Sequence, residues 1–339
     1  MKAAFLVRNG DPQKAFEIRE TAQPEPQAHE VCIKVEAFGL NYADVMARLG
    51  LYPDAPPIPG VIGYDVCGHI HALGSEVSGF EIGQRVMALT RFGGYAEYAC
   101  TDARAVAAIP DDMDAGVATA LATQCGTAYY CAEEMVRMHE GDHVLVQAAA
   151  GGVGTALVQM AKHRGCVVYG TASTHKMDYL REQGVDHPID YRKTDFETAV
   201  RKIRGEEGLD IVFDSLGGKA VKKGLKLLGH GGRMVLFGAA TMTDAGKNPL
   251  KQIGVAVGFG FYSPIAFIQN SKSIIGVNML RIADHRPEAL KRCLEGCVRF
   301  VEEGILKPTV GGTFGVEELG EAHAFLQSRQ SMGKIVVKW

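Results

Sequence analysis

A glycine-rich turn is the strongest chemical signal in the chain. It follows the apolar run Val144–Ala149, reads Gly151-Gly152-Val153-Gly154, and precedes a helical pattern over 155–163. A turn with few side chains lets the backbone approach a pyrophosphate, and free N–H groups at the start of the helix then bind the phosphate oxygens. Ala149 stands in place of the first glycine of GxGxxG. A tight strand–helix turn without a ligand is the alternative, but the surrounding strand–helix alternation favours a dinucleotide site. The residues predicted to form that site are Ala149, Gly151, Gly152, Val153 and Gly154.

The end of the next apolar strand indicates which dinucleotide binds. NAD sites usually carry Asp or Glu about 20 residues after the turn, to bind the ribose hydroxyls. Here the strand ends Thr171-Ala172-Ser173, and Lys176 follows. A hydroxyl and an ammonium suit the 2′-phosphate of NADP(H), which a carboxylate would repel. The sequence therefore favours NADP(H), although a solvated charge at a helix start also explains Lys176.

Three histidine or cysteine patterns resemble metal sites, and none of them predicts one. His139-Glu140-Gly141-Asp142-His143 matches HExxH, but that motif binds zinc only on a helix, and Gly141-Asp142 indicates a turn. His69 and His71 alternate on one strand without a third ligand. Cys293 and Cys297 are explained by packing at helical spacing. Because a zinc site needs three or four converging ligands, we expect no bound metal.

Composition excludes several classes of protein. The chain has 339 residues, of which 47% are hydrophobic and 22% charged, with a net charge of −3. These values fit a two-domain globular protein and argue against disorder and against a basic nucleic-acid surface. The eight cysteines form no CxxC pair, which favours reduced thiols and a cytoplasmic location. The longest apolar runs, 144–161 and 253–268, are interrupted by glycine or proline and predict no membrane span.

The order of the predicted elements indicates two domains. Early strands with Gly/Pro turns indicate a β-rich domain, and from about Thr123 strands alternate with helices, which favours a doubly wound parallel sheet. After a long helical pattern over 287–303, the β-like tail Lys334–Lys338 has the same strand-and-turn pattern as the first third of the chain. We therefore predict an α/β fold, with a β-rich domain over 1–122 and 285–339 and a dinucleotide-binding domain over 123–284. The predicted strands are Val31–Ala37, Val66–Ala72, Arg85–Leu89, Val144–Ala149, Val167–Thr171, Ile211–Asp214, Met234–Phe237 and Ser273–Val277.

Several motifs together resemble the medium-chain dehydrogenase/reductase superfamily. They are the turn at 149–154, Pro59-Gly60, Gly83-Gln84-Arg85-Val86, Phe213-Asp214-Ser215-Leu216-Gly217 and Gly231-Gly232-Arg233. Asn41 followed by Gly50-Leu51-Tyr52-Pro53 resembles the zinc-free quinone oxidoreductase branch. Pro249-Leu250 and Ser273–Asn278 resemble its vesicle amine transport protein-like sub-branch. The resemblance implies a GroES-like catalytic domain, a Rossmann domain, a cleft between them and a homodimer.

The same resemblance assigns roles to individual residues. Thr127 and Asn278 match contacts on the nicotinamide side, and Phe237 and Gly238 match a loop that lines the cofactor. The residues that match the 2′-phosphate cluster are Ser173, Lys176 and Tyr191. Asn41 and Tyr64 stand where the zinc-dependent branch has a cysteine and a histidine ligand. Cys125 alone makes no metal site.

Without zinc, the expected reaction is hydride transfer from NADPH to a quinone or an α,β-unsaturated carbonyl. Asn41 and Tyr52 are the expected catalytic residues: Asn41 holds the acceptor oxygen, and Tyr52 either donates a proton or hydrogen bond or forms a wall of the site. Tyr64 is a weaker candidate of the same kind. The apolar stretch Gly254–Ile268 is expected to shape the acceptor pocket or to pack between subunits. Two alternatives stay open, an enoyl-thioester reductase and a non-catalytic NADPH-binding sensor, trafficking or structural module.

Overall fold

The computed structural model describes residues 1–246 and 248–339. The chain forms two compact units: unit 1 comprises Met1–Gly126 and Met279–Trp339, and unit 2 comprises Thr127–Asn278. The domain boundaries predicted from the sequence lie a few residues away from these positions. Unit 1 is rich in β-structure and unit 2 is a parallel sheet with helices, so the predicted fold class is confirmed.

The first segment of unit 1 is mainly strands. Its helices are α1 (Pro12–Ala15), α2 (Tyr42–Arg48) and α3 (Ala115–Ala120), with a short 3₁₀ turn at Ala103–Ala105 and a π-helical turn at Leu121–Cys125. Its strands are β1 (Lys2–Leu6), β2 (Phe16–Glu20), β3 (Glu30–Leu40), β4 (Gly60–Val61), β5 (Asp65–Leu73), β6 (Arg85–Leu89), β7 (Tyr98–Asp102) and β8 (Val106–Ala108).

The chain then builds unit 2 by alternating strands and helices. The strands are β9 (His143–Val146), β10 (Val167–Ala172), β11 (His187–Asp190), β12 (Leu209–Asp214), β13 (Leu228–Leu236) and β14 (Ser273–Gly276). The helices are α4 (Gly126–Tyr129), α5 (Gly152–His163), α6 (Met177–Glu182), α7 (Phe196–Arg204), α8 (Lys219–Leu227), α9 (Thr241–Ala245), α10 (Pro249–Phe259) and α11 (Pro264–Asn270), with π-helical Tyr130–Met135 and 3₁₀ Thr174–Lys176 between them.

The chain returns to unit 1 after Asn278. The returning elements are α12 (Met279–His285), α13 (Pro287–Glu302), β15 (Val310–Gly315), a 3₁₀ turn at Val316–Glu318, α14 (Leu319–Gln327) and β16 (Lys334–Lys338). Strand β16 pairs antiparallel with β3, with Ile335 opposite Leu40. This pairing places the tail in the same sheet as the first third of the chain.

Unit 1 is organised around the long strand β3. The larger sheet runs β15-β16-β3-β5-β6-β8, β7 also pairs with β3, and a second small sheet runs β2-β1-β4. Along β3, Val31, Ile33 and Val35 lie in one buried apolar cluster, as the period of two in a strand requires. The strand ends at Leu40, so the next residue, Asn41, is fixed at the edge of a well-packed core.

Unit 2 has a six-stranded, entirely parallel sheet. The strand order is β11-β10-β9-β12-β13-β14. Strands β10 and β11 are therefore added on one side of β9, and β12, β13 and β14 follow on its other side. In β9, Val144, Leu145 and Val146 are fully buried, which fits a strand covered on both faces. Ligands of such sheets bind at the carboxyl ends of the strands, where the order reverses. That position lies between β9 and β12.

The segment Pro249–Asn270, hereafter the apolar segment, lies on the surface of unit 2. By length and composition alone it would suffice to cross a membrane, with a mean hydropathy of 1.2, and only 6% of it is buried. Leu250, Phe261 and Ile268 are 80%, 91% and 78% exposed. Helix α10 ends at Phe259 and α11 begins at Pro264, so the segment is two helices rather than one. The expected pocket-lining role of Gly254–Ile268 therefore finds no support within unit 2.

Candidate functional site

The parallel sheet of unit 2 gathers most of the predicted cofactor residues at one edge. The glycine turn follows β9, Ser173 follows β10, Tyr191 follows β11, and Phe237 follows β13. Asn278 comes two residues after the end of β14. Because the strands are parallel, all of these positions lie at their carboxyl ends. Thr127 lies on α4 and is buried, and no described contact ties it to this edge.

The turn after β9 has the geometry that a pyrophosphate site needs. Gly151 precedes α5 and supplies no capping side chain, so the first N–H groups of the helix point into the turn without a side-chain partner. A Cβ atom on Gly154 would lie 2.3 Å from the carbonyl oxygen of Ala148, so only glycine lets α5 pack this closely. Helix α5 begins at Gly152, three residues before the predicted start. The residues present fit a dinucleotide phosphate.

Backbone hydrogen bonds place Ser173, Lys176 and Tyr191 next to the end of β10. Ser173 is buried, and its carbonyl accepts the backbone N–H of Lys176 at 2.9 Å. The backbone N–H of Tyr191 donates to the carbonyl of Ala172 at 3.2 Å, which places Tyr191 beside this corner with its ring 46% exposed. Lys176 is only 8% exposed, and this burial lowers its pKa. A buried ammonium with no acidic residue at the strand end suits an added phosphate.

Sequence reasoning missed one neighbour in this corner. The Nδ1 atom of His175 lies 3.4 Å from the hydroxyl of Ser173. His175 lies between Ser173 and Lys176 in the sequence, and this spacing could have identified it as a neighbour of the phosphate site. The loops after β12 and β13 also meet, because the backbone N–H of Phe237 donates to the carbonyl of Asp214 at 3.0 Å. A Cβ on Gly238 would lie 2.7 Å from the carbonyl oxygen of Ser215, so glycine is needed there.

In unit 1, Asn41 belongs to a largely buried polar cluster. Its Nδ2 donates to Oδ2 of Asp65 at 2.6 Å, and its Oδ1 accepts from Nζ of Lys334 at 3.1 Å. Lys334 and Asp65 also form an ion pair in which both side chains are 0% exposed, and the hydroxyl of Thr123 donates to Asp65. The amide of Asn41 is therefore held in one orientation. Lys334 and Asp65 were missed, although a charged residue inside the apolar tail at 333–337 was a visible signal.

Asp44 lies in the first turn of α2, three residues after Asn41. Its Oδ2 accepts the backbone N–H of Asn41 at 2.7 Å, and the side chain is fully buried. Burial, together with the nearby charge of Asp65, raises the pKa of Asp44 to about 7, against the opposing effects of the Asn41 hydrogen bond and the charge of Lys334. The start of α2 therefore carries a carboxyl group that titrates near neutral pH.

Tyr52, Tyr64 and Phe92 form an aromatic group in unit 1. The ring centroids of Tyr64 and Phe92 are 5.0 Å apart, and those of Tyr52 and Tyr64 are 6.4 Å apart in an edge-on arrangement. Tyr52 is half-buried and Tyr64 is buried, and the two phenols interact through their side chains. Burial raises the pKa of both phenols. Both side chains are therefore protonated hydrogen-bond donors at neutral pH.

A charged network next to the aromatic group was not predicted. Arg281 donates to Asp54 at 2.6 Å, and Arg91 binds both carboxylate oxygens of Asp284 at 2.7 and 3.1 Å. Asp54 follows Tyr52 by two residues, so the network fixes the loop that carries Tyr52. Its partners are more than 190 residues apart in the chain. No local pattern connects them.

The metal-like patterns fall on unsuitable elements. His139 lies in a loop and His143 begins β9, so HExxH is not on a helix here. His69 and His71 are exposed on β5, and Cys293 and Cys297 are buried within α13. Across residues 1–246 and 248–339, no group of three or more His, Cys, Asp or Glu side chains is arranged to hold a metal ion.

Family models match both units. A model described as "Alcohol dehydrogenase GroES-like domain" matches residues 27–111, and one described as "Zinc-binding dehydrogenase" matches 152–295. The "Synaptic vesicle membrane protein VAT-1 homolog" of Danio rerio is 35% identical over 99% of this chain and 69% of its own length. The chain belongs to the medium-chain dehydrogenase/reductase superfamily. The similarity to VAT-1 homologues confirms the predicted sub-branch.

Solved structures of the superfamily share the complete fold. A mycobacterial protein complexed with NADPH is 28% identical, with a TM-score of 0.86 and coverage of 100% of both chains. The CurK enoyl reductase is 26% identical, with a TM-score of 0.85 and coverage of 99% of both chains. A quinone oxidoreductase from Coxiella burnetii is 27% identical, with a TM-score of 0.80 and coverage of 100% of this chain and 99% of that one. As a member of this superfamily, the protein is an oxidoreductase.

Proposed function

We propose that the protein is an NADPH-dependent reductase that transfers hydride to a quinone or an α,β-unsaturated carbonyl without zinc. The observation that carries this proposal is the phosphate edge of unit 2. There, an uncapped helix start and the buried ammonium of Lys176 lie at the carboxyl ends of neighbouring strands, β9 and β10. The acceptor class rests on the resemblance of 41–53 to the quinone oxidoreductase branch.

NADP(H) is the cofactor. When bound, it supplies the hydride, and the protein supplies orientation and polarity. The first N–H groups of α5 bind the pyrophosphate, and the 2′-phosphate is bound by Lys176 with Ser173 and Tyr191. Phe237 and Gly238 line the cofactor, and Thr127 and Asn278 contact its nicotinamide side. The solved NADPH complex with the same fold supports this assignment.

Asn41 and Tyr52 act on the acceptor oxygen, where negative charge gathers during reduction. One N–H of the Asn41 amide is bound to Asp65, which leaves the second N–H for the acceptor. Tyr52 donates a hydrogen bond from its protonated phenol. Because burial raises its pKa, Tyr52 holds its proton more tightly, and its proposed contribution is this hydrogen bond rather than proton transfer.

Zinc independence is supported by the donor atoms at the position of the expected metal. Asn41 and Tyr64 are neutral and are weak ligands for zinc compared with cysteine or histidine. The neighbouring carboxylate of Asp65 is already paired with the ammonium of Lys334. A divalent cation at this point would face a buried positive charge. The residues of this chain therefore do not fit a catalytic zinc.

An enoyl-thioester reductase is the second candidate, and the similarity to the CurK enoyl reductase favours it. Both candidates place NADPH in the same way and differ in the acceptor. A non-catalytic module, which the name of the VAT-1 homologues suggests, would bind NADPH without turnover. These three functions make different predictions in one assay.

The deciding experiment measures the loss of reduced-nicotinamide absorbance with purified protein and saturating NADPH. The acceptors are a benzoquinone, a naphthoquinone, a simple enone and crotonyl-CoA. We expect turnover with a quinone or the enone. Turnover with crotonyl-CoA alone would replace the proposal by the second candidate, and tight NADPH binding without any turnover would refute an enzymatic role. Stoichiometric zinc in dialysed protein would refute the zinc-free mechanism.

We also propose that the protein is a cytoplasmic homodimer. The eight cysteines form no CxxC pair, which favours reduced thiols in a reducing compartment. The exposed side chains of the apolar segment support association with a second copy. Sedimentation velocity on the purified protein tests the dimer, and a single species of 36.4 kDa would contradict it.

A further inference from the structure

Two cysteines face each other across neighbouring strands of unit 1. Cys32 on β3 is the direct partner of Cys100 on β7 in the antiparallel register. The backbone N–H of Val35 donates to Glu97 at 2.8 Å, and Ala103 donates to His29 at 3.0 Å, so both of these pairs are hydrogen-bonded. Hydrogen-bonded and non-hydrogen-bonded pairs alternate along such a ladder. Cys32 and Cys100 therefore occupy a non-hydrogen-bonded position.

This position has the backbone spacing of a disulfide. The Cα atoms of a non-hydrogen-bonded pair lie about 4.5 Å apart, and disulfides require about 4.4–6.8 Å. The side chains of such a pair also point to the same face of the sheet. Closing an S–S bond between these two residues would need little movement of either strand.

The two thiols already interact, and they differ in exposure. The hydrogen bond from the Cys100 thiol lowers the pKa of Cys32 and raises the pKa of Cys100, so Cys32 is the more acidic thiol of the pair. Cys32 is fully buried, and its sulfur lies 3.7 Å from the carbonyl oxygen of Pro24 in the segment that covers it. Cys100 is partly exposed. An oxidant from solution reaches Cys100 first, and Cys32 stands ready as the resolving thiol.

We propose that Cys32 and Cys100 are a redox modification site, which a hydroperoxide converts to a reversible cross-strand disulfide. The Cys100 sulfur attacks one peroxide oxygen, the O–O bond breaks, and Cys100 becomes a sulfenic acid. The Cys32 sulfur then attacks the Cys100 sulfur, the S–S bond forms, and the S–O bond breaks with loss of water. In total two thiols lose two electrons and two protons, and hydrogen peroxide becomes two molecules of water.

The remaining buried cysteines are poorer candidates. Cys67, Cys125 and Cys166 are buried, and Cys67 lies opposite Ala37 and Met87 in the strand register rather than opposite another cysteine. Cys297 and Cys293 are completely buried. Their packing keeps oxidants out while the protein stays folded.

The disulfide would act on stability rather than on turnover. It would tie β7 to β3 and close the long segment between them, which constrains the unfolded chain. Cys32 and Asn41 lie near opposite ends of β3, roughly 30 Å apart at about 3.3 Å per residue. Oxidation is therefore expected to raise Tm by about 10 °C and to leave NADPH turnover unchanged.

The test treats the reduced full-length chain with a small excess of hydrogen peroxide and counts free thiols after denaturation. Non-reducing peptide mapping then identifies the joined cysteines. We expect two fewer thiols, a Cys32–Cys100 crosslink and full recovery with dithiothreitol. Cys100→Ser should form no crosslink, whereas the matched control Cys67→Ser, on the neighbouring strand β5, should form the same crosslink as the wild type.

Three results would overturn the proposal. The first is an unchanged thiol count after peroxide treatment, and the second is a disulfide between a different pair of cysteines. The third is oxidation of Cys100 to the sulfinic acid without a crosslink. The wild-type peptide map decides the question even if a serine variant does not fold. None of these readouts depends on the proposed reductase activity.

Discussion

Replacing Lys176 with alanine tests the most specific part of the cofactor site. The side chain is 8% exposed and burial lowers its pKa, so its charge is poorly hydrated in the free protein. A hydrogen bond from an ammonium to a phosphate contributes about 1.5–3 kcal/mol. At about 1.4 kcal/mol per tenfold change, Lys176→Ala should weaken NADPH binding by about 10- to 150-fold. NADH has a hydroxyl at this position, so its Kd should change less than about threefold.

The assay is a fluorescence titration of each reduced cofactor against wild-type protein and variant. Lys222→Ala is the matched control, because it removes the same charge from an exposed position on α8 in the same unit. The control should leave both Kd values unchanged. Equal losses of NADPH and NADH affinity in Lys176→Ala would show that Lys176 only supports the local fold. An unchanged ratio of the two Kd values would remove its phosphate role.

Three further predictions concern unit 1. Tyr52→Phe should lower kcat about tenfold or more and leave the Kd for NADPH unchanged; unchanged turnover in steady-state assays would reduce Tyr52 to a wall of the site. Lys334→Met should lower the free energy of unfolding in urea by about 3–5 kcal/mol, because it leaves the carboxylate of Asp65 buried and unpaired. Adding Asp65→Asn should restore part of the loss. Equal stability of the wild type and the single variant would contradict this prediction. Burial raises the pKa of Asp44 from 3.8 to about 7, so between these values the folded chain binds a proton that the unfolded chain has lost, and stability falls as pH rises. The wild type should lose about 4 kcal/mol of unfolding free energy over this pH range through Asp44, and Asp44→Asn should not show this loss. Parallel curves of unfolding free energy against pH for wild type and variant would show that Asp44 does not titrate there.

The dinucleotide edge was predictable because its signals are local. The glycines at 151–154 specify the turn by themselves, and the parallel sheet follows from the alternation of strands and helices. The predicted ends of the strand and the helix at this turn were less accurate. Strand β9 ends at Val146 rather than Ala149, because Ala148 adopts a positive φ of 52° and the chain is already turning. The three residues Gly152, Val153 and Gly154 then form the first turn of α5.

The polar cluster around Asn41 was only partly predictable. The sequence singled out Asn41 as a residue where a metal ligand was expected, but it did not reveal what holds Asn41 in place. Lys334 lies 293 residues from Asn41 and 269 residues from Asp65 in the chain. Periodicity and motif spacing carry no information over such distances. Only the pairing of β16 with β3 brings the ammonium to the amide.

The apolar segment shows a different limit of sequence reasoning. Its composition predicts burial, either in a pocket or between subunits. Within unit 2 most of its large side chains are instead exposed, because α10 and α11 lie on the surface. Composition indicates that an apolar surface exists, but it does not identify what covers that surface. The subunit interface stays a prediction.

The position of β16 in the sheet of unit 1 has a consequence for biosynthesis. Unit 2 is encoded between the two segments of unit 1, so a growing chain can complete it while the last strand of unit 1 is still missing. Until β16 is made, part of β3 has no neighbour on that side, and Asp65 has no counter-ion. A nascent chain would expose this unpaired strand on the ribosome, where chaperones that bind extended apolar segments would shield it from aggregation.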